Sequence, residues 1–225
     1  MEHFDFMRVI YFIVPVILSL TVHEYAHAWV AAKLGDDTAT RMGRKTLNPI
    51  AHIDPIWTLL VPIIGIMSHG PVFGMAKPVP INPIRFTRKY RMKISVLMVA
   101  LAGPISNIIF AVLLAVLLGV LRSSAVGLLT NSDKGISGAL FMLAITTIQV
   151  NVTLFVFNLI PIPPLDGSKV LAGLLPDRFL PMFSVVEKYF YIFFIFILIL
   201  GGAFLAAPVN WITDLLFQLT RLIIG

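Results

Sequence analysis

Residues 6–33 read FMRVIYFIVPVILSLTVHEYAHAWVAAK, an apolar run with His23, Glu24 and His27 set into its second half. The run exceeds the roughly 20 apolar residues a helix needs to cross a bilayer. Pro15 marks a place for a kink, and Lys33, Gly35, Asp36 and Asp37 end the run. Ionisable side chains inside such a run are costly unless they pair or function. His23-Glu24-Tyr25-Ala26-His27 therefore reads as a site rather than a solvated helix face.

The composition extends this reading to the whole chain. Of 225 residues, 58% are hydrophobic and only 12% charged, with a mean hydropathy of +0.94. Soluble domains carry about 25% charged residues. A multispanning membrane protein in the lipid bilayer is expected, formed as one domain over residues 1–225. Cysteine is absent, so disulfides and thiolate-bound metals are excluded, and any metal must use His, Asp or Glu. The net charge of +6 resides beside apolar spans, which points to membrane topology and not to nucleic acid. Ala26-His27-Ala28 superficially fits a signal-peptidase site. Glu2 and Asp5 precede the run, however, and polar residues interrupt it, so a retained span is expected.

Residues 36–55 are turn-rich and contain Asn48-Pro49 and Asp54-Pro55. The apolar run 56–67 has only twelve residues, with Pro62 and Gly65 inside it, and is expected to be re-entrant or interfacial. Residues 68–84 hold Pro71, Pro78, Pro80 and Pro83, which excludes a continuous helix and predicts extended or edge-strand chain. Further long spans are expected over 92–121 and 137–160, joined by a polar loop at 122–136. A short helix to Leu175 follows. Two accessory spans, 185–206 and 208–224, are expected to part near Pro208. The fold class is thus an all-α polytopic membrane protein of about five transmembrane helices, with one re-entrant segment and short membrane-associated strands.

Of the 17 Lys and Arg, ten lie between Lys33 and Lys93. A full crossing by 56–67 would split this block across two sides. Keeping it together satisfies the positive-inside rule and makes residues 33–93 cytoplasmic.

The H-E-x-x-H spacing puts His23 and His27 on one helix face, where both imidazoles can bind one metal ion. Glu24 sits about 100° round the helix from His23, the place for a general base that is not a ligand. A catalytic zinc site needs a third protein ligand. The candidates are Asp166, Asp54 and Asp214. Pro161, Pro163 and Pro164 would break the helix ahead of Asp166-Gly167 and aim that carboxylate inward, although Asp-Gly taken alone reads as an ordinary turn; Asp54-Pro55, which reads as a turn, and Asp214, a cap or an interior polar group, remain rivals. His52 could approach the metal site or bond within a turn, and the turn is the favoured reading.

At this point three motifs together resemble the site-2 protease family of intramembrane metalloproteases: His23-Glu24-Tyr25-Ala26-His27, Gly103-Pro104-Ile105-Ser106-Asn107, and the stretch from Asn158 to Asp166-Gly167. They cover most of residues 8–170. The resemblance implies that His23, His27 and Asp166 bind Zn2+ and that Glu24 activates water. It implies that Asn158 polarises the substrate carbonyl, and that Asn107 contacts substrate backbone or braces the helices. The stretches 47–55 and 77–83 resemble one compact branch of the family. The loop 122–136 is too short for a PDZ domain, and no room for a CBS domain is expected after the last span.

The implied activity is hydrolysis of peptide bonds in or near transmembrane segments of single-span membrane proteins, in a bacterial or archaeal cell membrane, with the active site toward the cytoplasm. An extended edge around 38–54 and 70–84 would hold the unwound substrate. The rival reading is a membrane metal-binding protein or metal transporter without hydrolytic activity. That rival would not need Glu24 beside two ligands.

Overall fold

The computed structural model describes residues 6–68, 72, 74–123, 135–179 and 190–224. In chain order the helices are α1 (Phe6–Lys33), α2 (Thr38–Arg41), α3 (Pro55–Met67), α4 (Met92–Arg122), α5 (Ile136–Asn158), α6 (Asp166–Leu174) and α7 (Phe190–Ile224). Among the described residues, three helices are long and apolar enough to cross a membrane: Val9–Lys33, Met92–Arg122 and Ile136–Asn158. These are the three core spans expected from hydropathy. The polar loop expected at 122–136 lies largely outside the described residues.

Helix α4 is the wall on which the others pack, because every fourth residue along it is small or compact. Ser95, Val99, Gly103, Asn107, Ala111, Ala115 and Gly119 are all buried. Positions four apart share a helix face, and small side chains there let neighbouring backbones come close. A methyl group on Gly119 would sit 2.9 Å from Ile223 Cβ of α7. Ala111, Ala115 and Leu118 meet Phe141, Ile148 and Val152 of α5 and Leu216 of α7 in the main apolar core.

The pairings give the helix directions. His27 lies against Val99, and Ser19 against Asn107, so α1 and α4 are antiparallel. Asn107 meets Asn151, and Arg122 lies over the Phe141 ring, so α5 runs back along α4. Thr220 bonds to the Ala115 carbonyl and Ile223 lies at Gly119, so α7 is parallel to α4.

Polarity is distributed inside out. Ser19, His23, Glu24, His27, Asn107 and Asn151 are buried, while Leu18, Trp29, Ile109, Leu113 and Leu140 are exposed. In water this would be ruinous. In lipid it satisfies the polar groups internally and leaves apolar side chains to face the acyl chains. The protein is a membrane protein.

The link between α1 and α4 contains α3, which begins as one π-helical stretch, Pro55–Leu60, and continues as α-helix over Val61–Met67. The short apolar segment expected at 56–67 is therefore present. Asn48, Asp54 and Asn82 each precede a proline and accept hydrogen bonds from the amides two or three residues on, which starts a helical turn. Buried Asp36 accepts from Thr38 and from the Asn82 amide, fixing the end of α1 to this link. Half-buried Asp37 bridges Arg41 at 2.7 Å and Arg85 at 2.8 Å. The hydrogen bond from Arg41 first, and then Arg85, holds its carboxyl below the usual carboxylate range.

Two expectations are corrected. Among the described residues no strand forms. Residues 74–82 are extended, but the Met75 and Lys77 amides bond to the Trp57 and His52 carbonyls at isolated points, and Pro78 and Pro80 have no amide to continue a ladder. Nor are there separate accessory spans at 185–206 and 208–224. A single helix, α7, runs through Pro208, and residues 185–189 lie outside the described residues. The helix accommodates the proline and continues past it.

Candidate metal centre

His23 and His27 are one turn apart on the buried face of α1, and Asp166 is the first residue of α6. Their ligand atoms converge. His27 Nε2 lies 3.0 Å from His23 Nε2 and 3.0 Å from Asp166 Oδ2, and His23 Nε2 lies 3.2 Å from the same oxygen. Ligands about 2.0–2.2 Å from a tetrahedral zinc ion stand about 3.3–3.6 Å apart. The three edges fall a few tenths of an ångström inside that spacing. This is the one group among the described residues able to hold a metal ion.

The outer faces of both imidazoles fix their tautomers. His27 Nδ1 lies 2.7 Å from the Val99 carbonyl, which only accepts, so Nδ1 carries the proton and Nε2 keeps its lone pair. His23 Nδ1 lies 2.7 Å from Asn107 Oδ1, with the same result. Acceptors of this kind at the far nitrogen are what orient metal-binding histidines.

The backbone of α4 passes directly over this cradle. A Cβ on Gly103 would stand 2.4 Å from His27 Nε2 and 2.6 Å from His23 Nε2. Any larger residue would fill the space an ion needs. Gly167 serves Asp166 in the same manner. Its absent side chain lets the start of α6 press on the Leu159 and Ile160 carbonyls, 2.3 and 2.4 Å from where a Cβ would be. The chain reaches that point by turning back after α5, with Ile162 and Leu165 amides bonding to Ile160 and Ile162 carbonyls.

Glu24 is buried but stands outside the ligand set. Its Oε2 accepts a hydrogen bond from the Val79 backbone at 2.8 Å. The extended segment that carries Val79 is held in turn by Arg44, whose guanidinium donates to the Lys77 carbonyl at 2.7 Å.

The remaining candidates sort as follows. Asn107, expected at the substrate, is wholly buried and fully engaged by His23, Ser19 and Asn151, so the bracing alternative is the one its geometry fits. Asn158 ends α5, is half-buried, and donates to the Leu154 carbonyl at 3.0 Å. Asp54 caps α3 through Ile56 and Trp57 amides, and Asp214 is exposed on α7. Neither approaches the cradle group. His52 bonds to the Thr46 carbonyl within its own turn. Sequence reading missed Ser19 and Asn151. A lone polar residue in an apolar span is the signal that could have found them.

Peptidase family M50 matches residues 11–137 and 123–201. A Bacillus subtilis protein named "Putative zinc metalloprotease YwhC" is 37% identical over 93% of this chain and 90% of its own length. "Putative zinc metalloprotease Rip2" of Mycolicibacterium smegmatis is 32% identical over 69% of this chain and 53% of its own length. Its Mycobacterium tuberculosis namesake is 27% identical over 88% and 71% respectively. No solved structure matches the chain. With a family match spanning most of its length and a relative aligned nearly end to end, this chain belongs to peptidase family M50, the site-2 protease family of zinc metalloproteases.

Proposed function

We propose that the protein is an intramembrane endopeptidase that hydrolyses peptide bonds in or near the transmembrane segments of single-span membrane proteins. One observation carries the reading. His23, His27 and Asp166 converge inside a bundle whose exterior is apolar, and a separate buried carboxylate, Glu24, adjoins them in sequence without joining them.

The roles follow from the donor set. His23, His27 and Asp166 would hold the ion, which when bound would supply Lewis acidity. Glu24 takes a proton from the attacking water and returns it to the leaving amine. Val99 and Asn107 keep both imidazoles presenting lone pairs inward. The apolar surround excludes bulk water, which strengthens each charge interaction within. Asn158 is assigned to the substrate carbonyl on the family resemblance, and its amide nitrogen, which donates one hydrogen to the Leu154 carbonyl, carries a second for that role.

The basic block 33–93 supports a cytoplasmic placement of the α1–α4 link, and the bacterial relatives support a bacterial cell membrane. With α7 unbroken, we infer crossings by α1, α4, α5 and α7, in place of the five expected.

The test uses the full chain, purified in detergent, with a single-span substrate. Glu24→Gln is expected to abolish cleavage and retain zinc, and a chelator to abolish cleavage reversibly. Wild-type cleavage by Glu24→Gln, or loss of zinc together with activity, would overturn the assignment.

A further inference from the structure

We infer that Asn151, with Ser19, is a positioning element of the metal centre, acting on His23 through Asn107. This rests on His23 being a ligand, as proposed above.

Ser19, Asn107 and Asn151 lie on α1, α4 and α5, and each is completely buried. Three apolar helices have no general reason to bring two amides and a hydroxyl together, and every unpaired group here would be costly. The bonds run in one direction. Asn151 Nδ2 donates to Ser19 Oγ at 2.7 Å and to the Thr147 carbonyl at 2.8 Å, which turns its Oδ1 toward Asn107. Asn107 Nδ2 donates to that Oδ1 at 2.7 Å and to the Ser19 carbonyl at 3.1 Å, which turns its own Oδ1 toward His23. His23 Nδ1 must then carry the proton.

The alternative arrangement shows what the chain of bonds prevents. An Asn107 amide turned over would point a donor at His23 Nδ1 and draw the proton to Nε2, where it would point into the cradle and remove a ligand. Turned over, Asn107 would also set its oxygen against the Ser19 carbonyl and Asn151 Oδ1. Asn151 is thus half of what keeps Asn107 in the useful orientation, although it touches no ligand itself.

The experiment measures zinc affinity of the full chain in detergent by competition with a chromophoric chelator, together with the visible spectrum of the cobalt-substituted protein and the unfolding temperature of the metal-free protein. Asn151→Leu keeps the volume and removes the amide. Its zinc dissociation constant is expected to rise about 10–100-fold, the usual cost of losing an outer partner, and its tetrahedral cobalt bands to shift or weaken. Ser19→Ala, a smaller change, is expected to raise the constant several-fold and decides the matter if Asn151→Leu does not fold. A merely structural role would lower the metal-free unfolding temperature and leave zinc affinity and the cobalt spectrum at wild-type values, and that result would overturn the inference. His23→Ala, measured alongside, separates the two claims: undiminished zinc affinity in that variant sinks the ligand assignment itself.

Discussion

The backbone amide of Val79 donates to the carboxylate of Glu24 at 2.8 Å, joining the extended link between α1 and α4 to the residue beside the two histidines. The bond orients one carboxylate oxygen and leaves the other free. Pro78 and Pro80 flank Val79 in extended chain, so a third proline removes the donor, along with part of the packing of this buried side chain. A hydrogen bond to a charged group contributes about 1.5–3 kcal/mol. Val79→Pro is expected to lower kcat about ten- to a hundredfold with zinc content unchanged. Val79→Ala, which keeps the amide, controls for lost packing. Equal kcat in the proline and alanine variants would show that the bond does not matter to catalysis.

Gly103 offers a sharper test of the cradle. Alanine is a better helix former than glycine, so Gly103→Ala ought to favour α4 on propensity alone. Its Cβ, however, would meet both imidazoles well inside van der Waals distance. Zinc affinity should fall at least tenfold, a loss comparable to that of removing a ligand's partner, while the metal-free protein still folds. Metal analysis of the purified variant reads this directly, and a full complement of zinc would contradict the geometry.

The three aspartates once in competition for the third ligand position should now behave differently. Asp166→Ala is expected to lose zinc and activity together. Asp54→Ala removes a helix cap and is expected to cost about 1 kcal/mol of stability, with zinc retained. Asp214→Ala changes an exposed side chain and should alter neither. Zinc lost from Asp54→Ala and kept by Asp166→Ala would reverse the assignment.

The placement of the link 34–91 is open to chemical labelling, since the chain is free of cysteine. Lys45 and Lys89 are both exposed. Cysteines substituted there, one at a time, should resist an impermeant thiol reagent in sealed cells and react once the membrane is opened. Reaction at one position alone in sealed cells would mean that α3 crosses the membrane.

Much of the core was legible because its signals are local or steep. The three long spans are set by apolar length. The imidazole pair is set by a spacing of four on one helix. What was not legible depends on partners distant in sequence. Asn151 has no pattern around it, and its meaning comes from Ser19 and Asn107, brought to it by α1 and α4. Asn107 was legible as a motif residue, but only the burial of its amide distinguishes a brace from a substrate contact. Val79 meets Glu24 through a backbone amide, which no side-chain pattern can announce. Pro208 misled for a physical reason: a proline inside a helix removes one backbone hydrogen bond and can kink the helix without ending it, and α7 runs through it.

The separation of the ligands along the chain has a consequence for biosynthesis. His23 and His27 belong to the first long helix made, and Asp166 follows His27 by 139 residues. At elongation rates of about 5–20 residues per second, a nascent chain carries two ligands for about 7–28 s before the third is even synthesised. Asn107 and then Asn151 are also made within that interval. Hydrolytic competence is thereby withheld until three helices have been delivered to the bilayer, and a chain truncated anywhere before Asp166 is born without a complete metal centre.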